Sequence, residues 1–281
     1  QEHLWPEFNI HRILASDLAK IVLLQQYFQK SERVMEGVAD IFKEKLHLNA
    51  LPSARTIARA YLRRDVRKIL KGVFLATSDP IVELEKSFST DSTGQPLSIK
   101  QNYANDRDDQ AKHAGYDKIA VMISNTYQIA TAIKITDGTA NDSPLFEPLL
   151  HETAERFLIR DVEADAGFLS KDNVQAVADV GGVPYIYPKI GVAMNKDGHP
   201  EWRAMLERIV KDPQTWLREF YRRENSESYF SSYKRRFTRP LLNKLPKARR
   251  SEGLARIIVQ NICMLISAYF CHDVKCPHFR G

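Results

Sequence analysis

Apolar residues recur every three or four positions between residues 15 and 47, at Leu18, Ile21, Val22 and Phe28 and again at Val34, Val38, Ile41 and Phe42. That spacing places them on one side of a helix, and Gly37 marks a break or a close packing contact within it. A further helix is expected to open at Ser53, which follows Pro52 and can cap the first free amides. It runs through Ile57, Tyr61, Val66 and Leu70 with arginines opposite. From about residue 76 the period changes. Residues 119–123 and 128–135 read as two strands joined by a turn at Ser124-Asn125-Thr126. Ser143-Pro144 opens a helix over 145–157, proline being tolerated in a first turn where its missing N–H is not needed. Strand character returns over 157–164. A helix over 171–180 ends at Gly181-Gly182, a strand over 183–187 stops before Pro188, and helices follow over 201–210, 214–237 and 254–270. This order predicts a helical region over 1–75, an α/β domain with a mixed sheet flanked by helices over 76–270, and a short tail over 271–281.

The chain of 281 residues is long enough for one large domain or two modest ones. Its net charge is +6, and the clustering of that charge says more than the sum. Residues 53–71 carry Arg55, Arg59, Arg63, Arg64, Arg67, Lys68 and Lys71 against the single acid Asp65, and residues 234–250 carry eight bases, from Lys234, Arg235 and Arg236 to Arg250, with no acid. One such run is an ordinary solvated face; two runs around a set of candidate metal-binding acids fit a polyphosphate partner, DNA. The first run, on an amphipathic helix behind a short Pro-Ser turn, fits a helix-turn-helix-like module and a plain helical bundle equally. Three cysteines do not make a disulfide framework and suit a reducing compartment, so a cytoplasmic, nucleoid-associated location is expected. The apolar run over 257–270 is short, is interrupted by Gln260 and Asn261, and reads as a buried helix rather than a membrane span. No leader is visible from Gln1 onward, and whether a segment precedes it stays open.

Three acids carry the candidate chemistry. Asp91, in Ser89-Thr90-Asp91-Ser92-Thr93-Gly94, and Asp165, in Ala164-Asp165-Ala166-Gly167-Phe168, are each expected at the end of a strand, where open α/β sheets place their sites. Glu227 lies in a basic helical stretch. Arg223 stands one turn before it and Lys234 two turns after it, so the three share a helix face. A plain surface ion pair has the same spacing. Two carboxylates at strand ends and a third from a helix can converge on a pair of divalent metals and work on phosphodiester bonds. Asp161 and Glu163 alternate with Asp165 on the same side of the strand. Asp165 is preferred because it stands at the strand exit beside Gly167, and the other two are expected to be solvated or paired with a helix. Asp106, Asp108 and Asp109 read as a polar loop, and Trp202 and Trp216 as core anchors. The spacing of Cys271, His272, Cys276 and His278 is a weak zinc pattern, set against an unstructured tail.

At these residues the chain resembles the DDE transposases of bacterial and archaeal insertion sequences, in the branch with a Tyr-x2-Arg-x3-Glu-x6-Lys signature. The matching positions are Phe220, Arg223, Glu227 and Lys234, together with Asp91-Ser92-Thr93-Gly94 and Asp165-Ala166-Gly167-Phe168. The likeness covers about residues 80–270 and departs at Phe220, where the signature has tyrosine; Tyr221 is adjacent but about 100° further round the helix. The resemblance implies an RNase H-like core in which Asp91, Asp165 and Glu227 hold two Mg²⁺ ions, with Mn²⁺ as a possible substitute. It implies cleavage of transposon ends and their joining to target DNA. Arg223 and Lys234 would meet phosphates; the charge pattern itself adds Arg235 and Arg236, and Arg55, Arg59 and Arg63 on the basic face of the N-terminal helix, as further expected DNA contacts. A homodimer on DNA is implied, and no membrane. The short stretch before Glu227 leaves no room for a large β insertion, so the route of end release stays open. Two rivals remain: a transposase-derived DNA-binding protein that has lost cleavage, and a helix-turn-helix regulator with an α/β ligand domain.

Overall fold

The computed structural model describes residues 13–97, 115–194 and 199–276; Asp106, Asp108, Asp109 and His278 lie outside them. In chain order the helices are α1 (Ala15–Phe28), α2 (Glu32–Ile41), α3 (Ala54–Ala60), α4 (Arg64–Ala76), α5 (Ser143–Ala154), α6 (Lys171–Asp179), α7 (Pro200–Lys211), α8 (Pro213–Phe220), α9 (Glu224–Arg236) and α10 (Pro246–His272). The strands are β1 (Ser87–Pro96), β2 (Tyr116–Ser124), β3 (Ala130–Asp137), β4 (Asp161–Ala164) and β5 (Val183–Ile186), forming one sheet in the order β3-β2-β1-β4-β5. β1, β2 and β3 are an antiparallel meander, while β4 runs parallel to β1 and β5 parallel to β4. The mixed sheet flanked by helices has the RNase H-like arrangement expected from the sequence.

Helices cover both faces of the sheet, so both alternating sets of β2 residues are apolar. Ala120 and Met122 join Phe88, Val162 and Ala164 in a core with α5, α6 and α7. Ile119, Val121 and Ile123 join a second core with Tyr229, Tyr233 and Ile258 from α9 and α10. That second core also holds Leu18 and Val22 of α1 and Val66, Leu70 and Phe74 of α4. The N-terminal helices thus contribute both to this shared core and to a small core of their own, Ile21, Met35, Ala39, Leu48 and Ile57. A chain of buried polar contacts ties them further: Tyr61 bonds Gln25 and Gln26, Arg256 donates to Gln26 at 2.9 Å, and Arg256 donates to Glu252 at 3.0 Å.

Several boundaries differ from the expected ones. The first helical stretch breaks at Gln29, which has a left-handed φ of 51°, while Gly37 sits inside α2 with open space beside it. Ser53 does cap a helix, accepting from the Thr56 amide at 3.3 Å, but that helix ends at Ala60 and α4 begins at Arg64. The break lets Ile57 face Ile21 and Met35 while Val66, Leu70 and Phe74 turn toward the sheet. The helix expected over 214–237 is α8 and α9 joined by a 3-10 turn, Tyr221–Arg223. Between β5 and α9 the described residues contain helices and no added strand. With 27 residues, α10 is long and apolar enough to cross a bilayer by length and composition, yet it buries the Glu252–Arg256 pair and packs against α1, α4 and β3. The C-terminal end is not loose throughout, because Val274 and Cys276 are buried in the sheet core.

Candidate active site

The register of the sheet brings Asp91 and Asp165 together. β1 continues to Pro96, so Asp91 lies mid-strand rather than at its end. Its parallel ladder with β4, however, stops at the pair Thr90↔Ala164. Asp91 and Asp165 are thus the next residues along two adjacent strands, which lie about 5 Å apart. Alternation turns both away from the core that takes Phe88 and Val162, toward the face that α9 crosses. Past Ala164 the chain bends into a short 3-10 turn, Ala166–Phe168, capped by Asp165 itself: its Oδ1 accepts the Gly167 amide at 2.8 Å. A Cβ on residue 167 would stand 2.9 Å from that oxygen, so a larger residue there would have to displace the Asp165 carboxylate. Asp91 Oδ1 accepts the Ser92 amide at 2.8 Å.

Glu227 lies in the first turn of α9, and Arg223 donates to its Oε1 at 2.6 Å. Burial pushes the Asp91 carboxyl up to about 6; the Ser92 amide and the Arg223 charge oppose the rise, and Asp165 and Glu227 add to it. Asp91 is thus within electrostatic reach of Asp165, Glu227 and Arg223. The three acids are not a closed cage: Glu227 is 57 % exposed and turned to Arg223, and no three His, Cys, Asp or Glu side chains among the described residues stand close enough to hold an ion.

Arg223 is held from below. Its guanidinium lies 5.7 Å from the centre of the Phe220 ring, which stacks on Trp216 at 5.3 Å and an interplanar angle of 9°. Phe220 is buried and Tyr221 exposed, so the aromatic at the signature position serves as a packed platform here. Trp202 and Trp216 are buried anchors. Lys234 and Arg235 are exposed in the last turn of α9, whereas Arg236 is half-buried and donates to Gln260 at 3.0 Å. Arg55 and Arg59 are exposed on α3. Arg63 is not on that helix: it precedes α4, and its side chain is spent on Asp65 and the Ile13 carbonyl.

Asp161 and Glu163 are not solvated. Both are buried, because the turn at Tyr221–Arg223 and α8 cover their side of β4. Asp161 pairs with Arg160 and, at 3.6 Å, with Arg222; Glu163 accepts from Asn125 at 2.6 Å. Burial, then the Asp161 charge, raise the Glu163 carboxyl well above its ordinary range. Cys271 is exposed and Cys276 buried. A fourth carboxylate, Asp142, bonds Ser92 and lies beside Gly167, the chain neighbours of the two aspartates; in the sequence it shows only as the residue before the Ser143-Pro144 helix start.

Residues 86–266, more than half of the chain, match the family described as the transposase DDE domain, and the chain belongs to that family. It is similar to the probable transposase for insertion sequence element ISA1214 of Archaeoglobus fulgidus, with 26 % identity over 227 residues, 79 % of this chain. It spans 66 % of that relative's length. Among solved structures it overlaps loosely with the Drosophila P element transposase strand transfer complex, at 12 % identity and a TM-score of 0.35 over 88 % of this chain and 64 % of that one. The overlap with the Mos1 transposase paired-end complex with left transposon end is looser, at 9 % identity and a TM-score of 0.27 over 95 % and 81 %. At those scores neither bears on fold or function.

Proposed function

We propose that this chain cleaves transposon ends and joins them to target DNA, with Asp91, Asp165 and Glu227 as the catalytic acids. The observation that carries this reading is the register of Asp91 with Asp165, which places the two carboxylates side by side at the end of the β1–β4 ladder. The donors are all carboxylate oxygens, the kind that hard divalent cations take. Mg²⁺, or Mn²⁺ in its place, fits such a set, and two ions held there would activate the attacking oxygen and stabilise the leaving one. Asp91 and Asp165 are fixed by the amides of Ser92 and Gly167. Glu227 is the adjustable member, exposed and joined to the site through Arg223. When a phosphate takes the Arg223 guanidinium, Glu227 is freed to turn toward the aspartates. The exposed Lys234 and Arg235 on the same helix supply further charge for the DNA end. Pairing two ends calls for two copies of the chain on DNA.

The test is cleavage of DNA carrying the element's ends in Mg²⁺. Asp91→Asn, Asp165→Asn and Glu227→Gln should each abolish cleavage and leave DNA binding intact. Wild-type cleavage by any of the three removes that residue from the catalytic set. A wild-type protein that binds the ends without cutting them would instead be a transposase-derived DNA-binding protein.

A further inference from the structure

The turn between β3 and α5 carries Asp142 to the residues that hold both aspartates. Asp142 Oδ1 accepts from the Ser92 hydroxyl at 2.7 Å and from Lys118 Nζ at 3.1 Å. The Ser92 amide in turn donates to Asp91 Oδ1. On the other side, Asp142 Oδ2 lies 3.7 Å from where a Cβ on Gly167 would stand, and the Gly167 amide donates to Asp165 Oδ1. One carboxylate thus binds the neighbour that orients Asp91 and lies beside the one that orients Asp165. The plain account of such a residue is a cap for α5, but Asp142 makes no side-chain cap hydrogen bond to that helix. Its side chain is committed to Ser92 and Lys118 instead.

The surroundings keep it there. Lys118 and Asp142 are 14 % and 29 % exposed, and Lys118 also donates to the Ala140 carbonyl in the same turn. Asn173, buried, donates to the Ser143 carbonyl at 2.9 Å and to the Phe168 carbonyl at 2.7 Å, locking the start of α5 to the bend that follows Asp165. We propose that Asp142 is a positioning residue, acting through Ser92 and Gly167 to set the Asp91 and Asp165 carboxylates in the orientation that receives a divalent cation. This rests on the reading of those two aspartates as metal-binding.

The experiment compares the wild type with Asp142→Ala, Ser92→Ala, the double variant and Asp142→Asn. Two readouts are taken: the rise in melting temperature produced by Mg²⁺ alone, and the Mg²⁺ concentration giving half-maximal cleavage of DNA with the element's ends. Removing groups that orient metal-binding side chains weakens metal affinity by about 10–100-fold. Asp142→Ala and Ser92→Ala should each raise both Mg²⁺ midpoints by about tenfold or more. Because they act along one path, the double variant should be no worse than the more severe single. Asp142→Asn, which can still accept the Ser92 hydroxyl but loses the charge pair with Lys118, should fall between wild type and Asp142→Ala. If Asp142→Ala does not fold, Ser92→Ala and Asp142→Asn decide the matter by the same midpoints. Unchanged midpoints in these variants, or factors that multiply in the double, overturn the role of Asp142 alone. A wild type that neither responds to Mg²⁺ nor cleaves overturns the metal reading beneath it.

Discussion

Burial is the main reason the Asp91 carboxyl rises from an ordinary 3.8 to about 6, and the sign of this shift has consequences for stability. Between those values the folded chain holds a proton that the unfolded chain has released. Stability at this residue is therefore lost as pH rises from about 4 to 6. A cation bound only by the folded chain competes with that proton and stabilises the fold by mass action. The rise in melting temperature given by Mg²⁺ should be larger at pH 7.5 than at pH 5, and Asp91→Asn should reduce it at pH 7.5. An equal Mg²⁺ shift at both pH values would count against Asp91 as a cation ligand. Glu163 has the same sign from a different environment. Its carboxyl is fully buried and raised well above 4.5, so the fold loses stability as pH climbs from 4.5 toward that raised value. Glutamine keeps an acceptor for Asn125 and carries no charge. Glu163→Gln should therefore melt higher than wild type at pH 8 and close to it at pH 4.5. A lower melting temperature at pH 8 would show that the ionised form is the stabilising one.

The stretch from α8 to α9 is the element on which the site depends. Trp216 and Phe220 stack beneath Arg223, Arg223 reaches Glu227, and Arg222 in the same turn meets buried Asp161. Arg223→Ala removes a charged partner for a phosphate and for Glu227 together, and should weaken engagement of the DNA end by about 1.5–3 kcal/mol, the scale of hydrogen bonds to charged groups. Wild-type affinity for the ends in a binding titration would show that Arg223 serves Glu227 alone. Much of this element was legible in the sequence: Arg223, Glu227 and Lys234 fall one and two turns apart, and the hairpin, α5 and α6 announced themselves through Ser124-Asn125-Thr126, Ser143-Pro144 and Gly181-Gly182. What was not legible depends on partners distant in sequence. Nothing near Asp161 and Glu163 says that a turn sixty residues later will bury them. Tyr61 interrupts no helical pattern, yet the chain breaks beside it, with its hydroxyl held between Gln25 and Gln26. Asp142 looks like part of a helix start until the fold brings Ser92 against it.

For the molecule as a whole, the decisive feature is that the N-terminal helices share a core with the sheet. α4 buries Val66, Leu70 and Phe74 beside Val121 and Ile258, so its opposite face, with Arg64, Arg67, Lys68 and Lys71, is fixed relative to Asp91. Arg67 and Lys71 line two adjoining depressions. One, of about 840 Å³, runs along α4 with Arg63, Arg64 and Lys68; the other, of about 560 Å³, lies between α4, β3 and the start of α10 and adds Lys134 and Arg250. Arg63, tied to Asp65, contributes little free charge. If DNA lies along this groove, each phosphate neutralised releases counterions, and the slope of log affinity against log salt changes by about 0.9 per contact. Reversing Arg67 and Lys71 to glutamate should weaken DNA binding and make that slope shallower by about 2. The same change at Arg63 should chiefly disturb its pairing with Asp65 and leave the slope near wild type. A slope unaffected by the loss of Arg67 and Lys71 would move the DNA off α4 and onto the exposed bases of α9, where Lys234 and Arg235 could be tested in the same titration.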